Sequence, residues 1–219
     1  MQTYRILSAL LCYPEQDLLD AVAEFAPVLD SEALLPADIR AAIGAFINQL
    51  AATDLLDAQE RYVALFDRNR SLSLHLYEHV HGESRDRGQA MVRLNTLYQL
   101  HGLDVTSREL PDYLPLYLEF LSQMPDRAAR SMLGEAVHVI AALRRKLEKR
   151  NSPYAVLLHA AESLASGPAQ PAAVQQAMAA LDSAADNPDS LDREWEDEAV
   201  RFTANQSATA GGMAPACGS

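Results

Sequence analysis

The chain has 219 residues, 49% of them hydrophobic and 22% charged, which is enough for one well-buried core. Thirty acidic against 18 basic side chains give a formal net charge of -12, a field that repels phosphate backbones and anionic headgroups and so argues against nucleic acid as a partner. With only Cys12, Cys217 and 9 glycines present, neither a disulfide framework nor a thiolate metal site is indicated, and the dominance of leucine and alanine favours helix at almost every position.

The first helix is predicted over residues 2–12, with Tyr4, Leu7 and Leu11 on one face and Pro14 closing it. Polar residues interrupt its apolar run and no small-residue cleavage pattern follows, so it reads as a helix and not as a signal peptide. A second helix is expected from Glu15 to the break at Pro27, carrying Leu18, Leu19, Val22 and Phe25. A third, from about Pro36, carries Ile39, Ile43, Phe46, Ile47 and Leu50, and Thr53 offers an N-cap for a fourth with Leu55, Leu56, Tyr62, Val63 and Phe66. That pattern stops at the polar run Asp67, Arg68, Asn69, Arg70.

Residues 71–81 fit two periods, since Leu72, Leu74 and Leu76 alternate while Leu72, Leu76 and Val80 suit a helix, so a short helix and an ordered loop both stay open. Beyond Gly82, Ser84 is placed to cap a helix with Ala90, Met91, Leu94, Leu97, Tyr98 and His101 on one stripe and Gly102 at its end. Asp112 is expected as the N-cap of the next, almost wholly apolar helix, with Pro115 in its first turn. Asp126 is expected to cap the longest helix, which reaches about Lys149 and buries Met132, Leu133, Ala136, Val137, Ile140, Leu143 and Leu147. Its cationic end, Arg144, Arg145, Lys146, Lys149 and Arg150, suits the helix dipole. Two further helices start at Pro153 and Pro171. The fold class is therefore all-α: a single multi-helix bundle over residues 1–182, followed by a flexible, acidic tail over 183–219 with little to bury. No stretch approaches the ~20 apolar residues of a membrane span, which argues against direct membrane insertion.

One enzyme motif is present by its letters. His75, Glu78 and His79 form H-x-x-E-H, in which two histidines four apart on a helix bind zinc and the glutamate activates water, so a zinc-dependent hydrolase is the alternative reading. It needs a firm helix, and no further glutamate stands out as a third ligand. No phosphate-cradling glycine loop and no nucleophile triad can be identified. The surrounding stretch is unusually polar: Arg68, Arg70, Arg85, Arg87 and Arg93 alternate with acids and with His75, His79 and His81, while Leu72, Leu74, Leu76 and Tyr77 imply partial burial, where charges must find partners. A binding groove is expected here.

Residues 62–94, YVALFDRNRSLSLHLYEHVHGESRDRGQAMVRL, and residues 107–125, SRELPDYLPLYLEFLSQMP, closely resemble the respiratory nitrate reductase assembly chaperones, the delta-subunit family. The likeness extends more loosely to residues 4–14 and to the helix after Asp126, covering about residues 1–150. The resemblance implies an all-helical, cytoplasmic binding protein without catalytic activity, cofactor or metal. It also implies that the N-terminal segment of the apo catalytic (alpha) subunit is held while the molybdenum cofactor is inserted. The wider group of maturation chaperones for molybdenum enzymes carries a Glu-x-Pro-Asp-His-like motif that falls on Glu109, Leu110, Pro111, Asp112 and Tyr113, with tyrosine where the motif has histidine. On this resemblance the client-peptide-binding residues are His79, Glu83, Arg85, Arg87, Glu109, Asp112 and Tyr113.

Overall fold

Helix α1 (Gln2–Leu11) is buried along most of its length by Tyr4, Ile6, Leu7, Leu10 and Leu11, because apolar residues recur at helical spacing on more than one side. In the computed structural model of the chain, residues 1–77, 85–103 and 109–185 are described, apart from the side chains of residues 85, 86 and 183–185. Helices α2 (Gln16–Ala21) and α3 (Phe25–Glu32) are separated by a 3-10 turn over Val22–Glu24. Pro27, expected to stop a helix, instead lies in the first turn of α3, where a missing N–H costs nothing. Helix α4 (Ala37–Ala51) buries Ile39, Ile43, Phe46, Ile47 and Leu50, the expected stripe.

The cap of α5 (Leu55–Tyr62) is Asp54, whose carboxylate accepts the Leu56 N–H at 2.9 Å; Thr53, the expected cap, donates its hydroxyl back to Gln49 O at 2.8 Å. A π turn over Val63–Asp67 continues α5 and ends at the polar break. Next comes a 3-10 turn, Arg70–Leu72, and then an extended stretch in which Ser71, Leu72, Ser73, Leu74 and Leu76 are all buried. Its two overlapping periods have one cause: consecutive residues on both sides of the chain are buried, so neither periodicity selects a single face, and the turn that opens it packs against α8 and α10.

Helix α6 (Arg85–Leu100) buries Leu94 and Tyr98, and the chain turns at Gly102, whose φ of 75° suits a residue without Cβ. Helix α7 (Leu114–Ser122) is the most enclosed element: Leu114, Pro115, Tyr117, Leu118, Phe120 and Leu121 are all buried, largely against α1. Helix α8 (Asp126–Lys149) is capped from Pro125; Asp126 is its first residue and pairs with Arg130 at 2.9 Å, one turn on. Leu133, Val137, Ile140, Leu143 and Leu147 form its buried stripe, while Met132 and Ala136 are half-buried. Helices α9 (Ala155–Leu164) and α10 (Pro171–Ala185) pack on α8. The cationic end of α8 is partly neutralised: Arg144 binds Glu162 at 2.7 Å and Glu148 at 2.5 Å, and Lys146 binds Asp182 at 2.6 Å.

Among the described residues there is no strand, and the architecture is the expected all-α bundle. Those residues lie within a compact unit, Met1–Ala185. Helix α10 runs on to Ala185, and the remainder of the acidic tail lies outside the described residues.

Candidate functional site

The one non-helical pairing among the described residues is an antiparallel bridge between His75 and Tyr113. Leu114 N–H donates to Leu74 O at 2.9 Å, and Leu76 N–H donates to Asp112 O at 3.0 Å. The entrance to α7 is thereby clamped to the stretch before residue 78. The clamp explains why Asp112 does not cap α7, whose N-cap is Tyr113 with no side-chain hydrogen bond. Asp112 is turned to the opposite chain.

Asp112 is wholly buried. Its Oδ2 accepts the Tyr77 N–H at 2.9 Å, and its Oδ1 lies 3.2 Å from Nδ1 of His75. A buried carboxylate needs donors, and these two supply them. The His75 ring lies over Tyr113, with centroids 5.3 Å apart and planes at 37°. Tyr113 is fixed from behind: its hydroxyl is 2.9 Å from that of Tyr62, which donates its proton to Leu11 O, a carbonyl in the last turn of α1, also at 2.9 Å. The Tyr62 hydrogen is committed to that carbonyl, so Tyr113 is the donor to Tyr62. Burial pushes both phenols up, and they remain protonated donors throughout the physiological range.

Tyr98 of α6 ties the same loop from another side, donating its hydroxyl to Pro111 O at 2.7 Å while its ring packs on Phe120 at 4.7 Å. Residues 111–113 are thus held from α1, α5, α6 and the 74–77 stretch. Glu109 and Leu110 project from this anchored loop and are exposed.

Of the residues expected to bind a client, Glu109, Asp112 and Tyr113 are brought together in the clamped loop. Arg87 is half-buried near the start of α6. Arg85 is the first residue of that helix, and His79 and Glu83 lie outside the described residues. Asp112 differs from the others in being a structural carboxylate with its acceptors occupied. Sequence reasoning missed the partners, His75, Tyr77, Tyr62 and Tyr98. Their one sequence signal is the interleaving of Leu74, Leu76 and Tyr77 with polar residues, which implies burial but cannot say against what.

The zinc pattern fails at its first member. His75 sits in an extended bridge and not on the helix that the pattern requires, and its Nδ1 is turned to Asp112. Glu78 and His79 lie outside the described residues, and among the described residues no group of three or more potential ligands is assembled.

This sequence and fold place the chain in the nitrate reductase delta subunit family, to which it belongs: the family's profile matches residues 32–160, spanning both sides of the clamp. Among its relatives is the nitrate reductase molybdenum cofactor assembly chaperone NarJ of Escherichia coli K12, 43% identical over 96% of this chain and 93% of that protein. The probable assembly chaperone NarW of the same strain is 37% identical over 92% of this chain and 84% of that protein. The probable NarJ of Bacillus subtilis 168 is 32% identical over 72% of this chain and 84% of its own length. The first similarity extends well past the 150 residues that carried the resemblance and takes in most of residues 183–219. All three relatives are named for assembly and none for catalysis.

Proposed function

We propose that this chain is a system-specific chaperone of nitrate reductase assembly, a binding protein and not an enzyme. It holds the N-terminal segment of the apo catalytic (alpha) subunit in the cytoplasm while the molybdenum cofactor is inserted and before that subunit docks at the membrane. The observation that carries this reading is the 43% identity to a named assembly chaperone over 96% of the chain. No described helix is long and apolar enough to cross a membrane, which is compatible with a chaperone that meets its client before docking.

The client surface we assign comprises the rim of the clamped loop, the exposed Glu109 with the half-buried Tyr113 over the buried Asp112, and Arg87; His79, Glu83 and Arg85 are added on the family resemblance alone. Apolar side chains border the rim: Leu110 is 45% exposed, Tyr13 42% exposed, and Tyr77 and Leu116 are half-buried. Such a border suits the apolar face of an amphipathic helix, and the net charge of -12 favours one whose polar face is basic. We assign this activity to the helical body, residues 1–182, and none of it to the acidic tail, residues 183–219.

Calorimetric titration of the full chain with the N-terminal peptide of the cognate nitrate reductase catalytic subunit tests the reading. Saturable binding near neutral pH with one peptide per chain is expected. Absence of binding overturns it.

A further inference from the structure

His75 is absent from the client-binding residues that family resemblance assigns, and in the zinc pattern it has no function once the helix is gone. Its surroundings nevertheless resemble those of a presented binding group. The side chain is 23% exposed, above a carboxylate that is 0% exposed. Because an ionised carboxylate only accepts, the ring nitrogen facing Asp112 Oδ1 carries the proton, and in the neutral imidazole that leaves Nε2 as an acceptor. Nε2 has no hydrogen-bond partner among the described residues, on a side chain that is partly open to solvent. The ring is held by Tyr113 beside it, and Tyr113 is held by Tyr62. An acceptor fixed in orientation at this cost, with an occupied buried aspartate behind it, is preorganised for a donor arriving from outside.

The neighbourhood selects the donor. Glu109 and Asp67 both act electrostatically on Tyr113, the ring against His75, and Glu109, Glu119 and Glu15 act on Cys12, which itself acts on Tyr113, four carboxylates in all. All four are exposed, and none forms an ion pair among the described residues. A neutral donor gains little from such a field, whereas a cationic N–H group gains both the hydrogen bond and the potential.

We propose that His75, oriented by Asp112 across the bridge, is a client-binding residue whose Nε2 accepts a hydrogen bond from a cationic N–H group of the bound segment. That group is either its α-ammonium or a lysine or arginine side chain. The inference rests on the chaperone reading above and adds to it the residue that reads a cation in the client.

The test uses His75→Asn in the full chain. An asparagine amide keeps a donor in the place of Nδ1 for Asp112 and removes everything beyond it, so thermal stability is expected to stay close to wild type. Calorimetry should show affinity for the client N-terminal peptide falling about tenfold, a loss of about 1.4 kcal/mol. Peptides with an acetylated N-terminus, or with each lysine and arginine replaced by glutamine, identify the cation. The relevant peptide should lose the same factor against wild type and nothing further against His75→Asn. Should the variant prove unstable, the imidazole nitrogen resonances of the 15N-labelled wild-type chain give an independent readout, and Nε2 should move on peptide addition while Nδ1 stays. Wild-type-like affinity of a folded His75→Asn, or an unmoved Nε2 in a saturated complex, overturns the role of His75 and leaves the chaperone reading standing. Failure of the wild-type chain to bind any peptide overturns both.

Discussion

Asp112 carries more of the local structure than any other polar residue near the proposed client surface, because it is fully buried and both its oxygens are used. Replacing it with alanine removes the carboxylate that accepts from the Tyr77 N–H and the His75 ring and leaves a gap at a fully buried position. Asp112→Ala is expected to cost about 2–4 kcal/mol in urea unfolding, and Asp112→Asn distinctly less because one acceptor oxygen remains. A second carboxylate works at the opposite end of α1. Glu32 accepts the backbone N–H groups of Gln2 and Thr3 at 3.0 and 2.6 Å and the Thr3 hydroxyl at 2.6 Å, acting as a cap supplied from α3 to a helix that has none of its own. Partial burial pushes its carboxyl up, but these hydrogen bonds and the N-terminal ammonium outweigh it and hold the group below the usual carboxylate range. A lowered folded-state value means the contribution is complete above the unfolded value and disappears as pH falls through the folded one. Glu32→Gln should therefore cost about 1 kcal/mol at neutral pH, limited by solvent screening, and the difference from wild type should vanish in strong acid. Thermal melts of both proteins across that range measure it.

Element by element, what the sequence disclosed depended on whether the cause was local. The stripe of α4 and most of that of α8 were legible because a helix with one buried face repeats every three to four residues. The cap of α7 was misread for the converse reason: an aspartate ahead of an apolar run satisfies the local rule for a cap, and its true partners stand 35 and 37 positions earlier. Pro27 looked like a terminator because a proline in a first turn and a proline ending a helix differ only in where the helix starts, and the 3-10 turn before α3 leaves no sequence mark. Residues 71–76 were ambiguous because burial of consecutive residues erases periodicity. Helix α6 is the element whose anchoring bears most directly on the proposed client surface. Among the described residues Leu94 and Tyr98 are its buried hydrophobics, while Val92 and Leu100 are exposed, so few contacts hold it and the Tyr98 bond to Pro111 links it to the clamped loop. Tyr98→Phe removes that bond and keeps the ring on Phe120. It should cost about 1 kcal/mol and raise amide hydrogen exchange across α6 well above that of α8, with little change in the rest of the bundle.

For the molecule as a whole, the core as described reaches α10. Its buried hydrophobic members, among the described residues, extend from Tyr4 to Leu181, and α10 supplies the last of them with Val174, Ala177 and Leu181. Two truncations therefore separate two parts of the chain. Ending the chain after Ala169 removes α10, uncovers the faces of α8 and of the 70–72 turn that it packs on, and deletes the partner of Lys146; losses of several kcal/mol are expected. Ending it after Ala185 spares every one of those contacts, and the melting temperature should stay within about 2 °C of the full chain. The shorter chain also loses seven acids and two arginines, which takes the net charge from -12 to -7. A weaker field slows the encounter with a basic peptide without touching the contacts made once it is bound. Stopped-flow association should thus be slower for the 1–185 chain in dilute buffer, and the gap should close near physiological salt, where the screening length is about 8 Å. Dissociation should be unchanged at both salt concentrations. A faster dissociation from the truncated chain would mean that residues 186–219 take part in holding the client, and the assignment of binding to the helical body alone would fall.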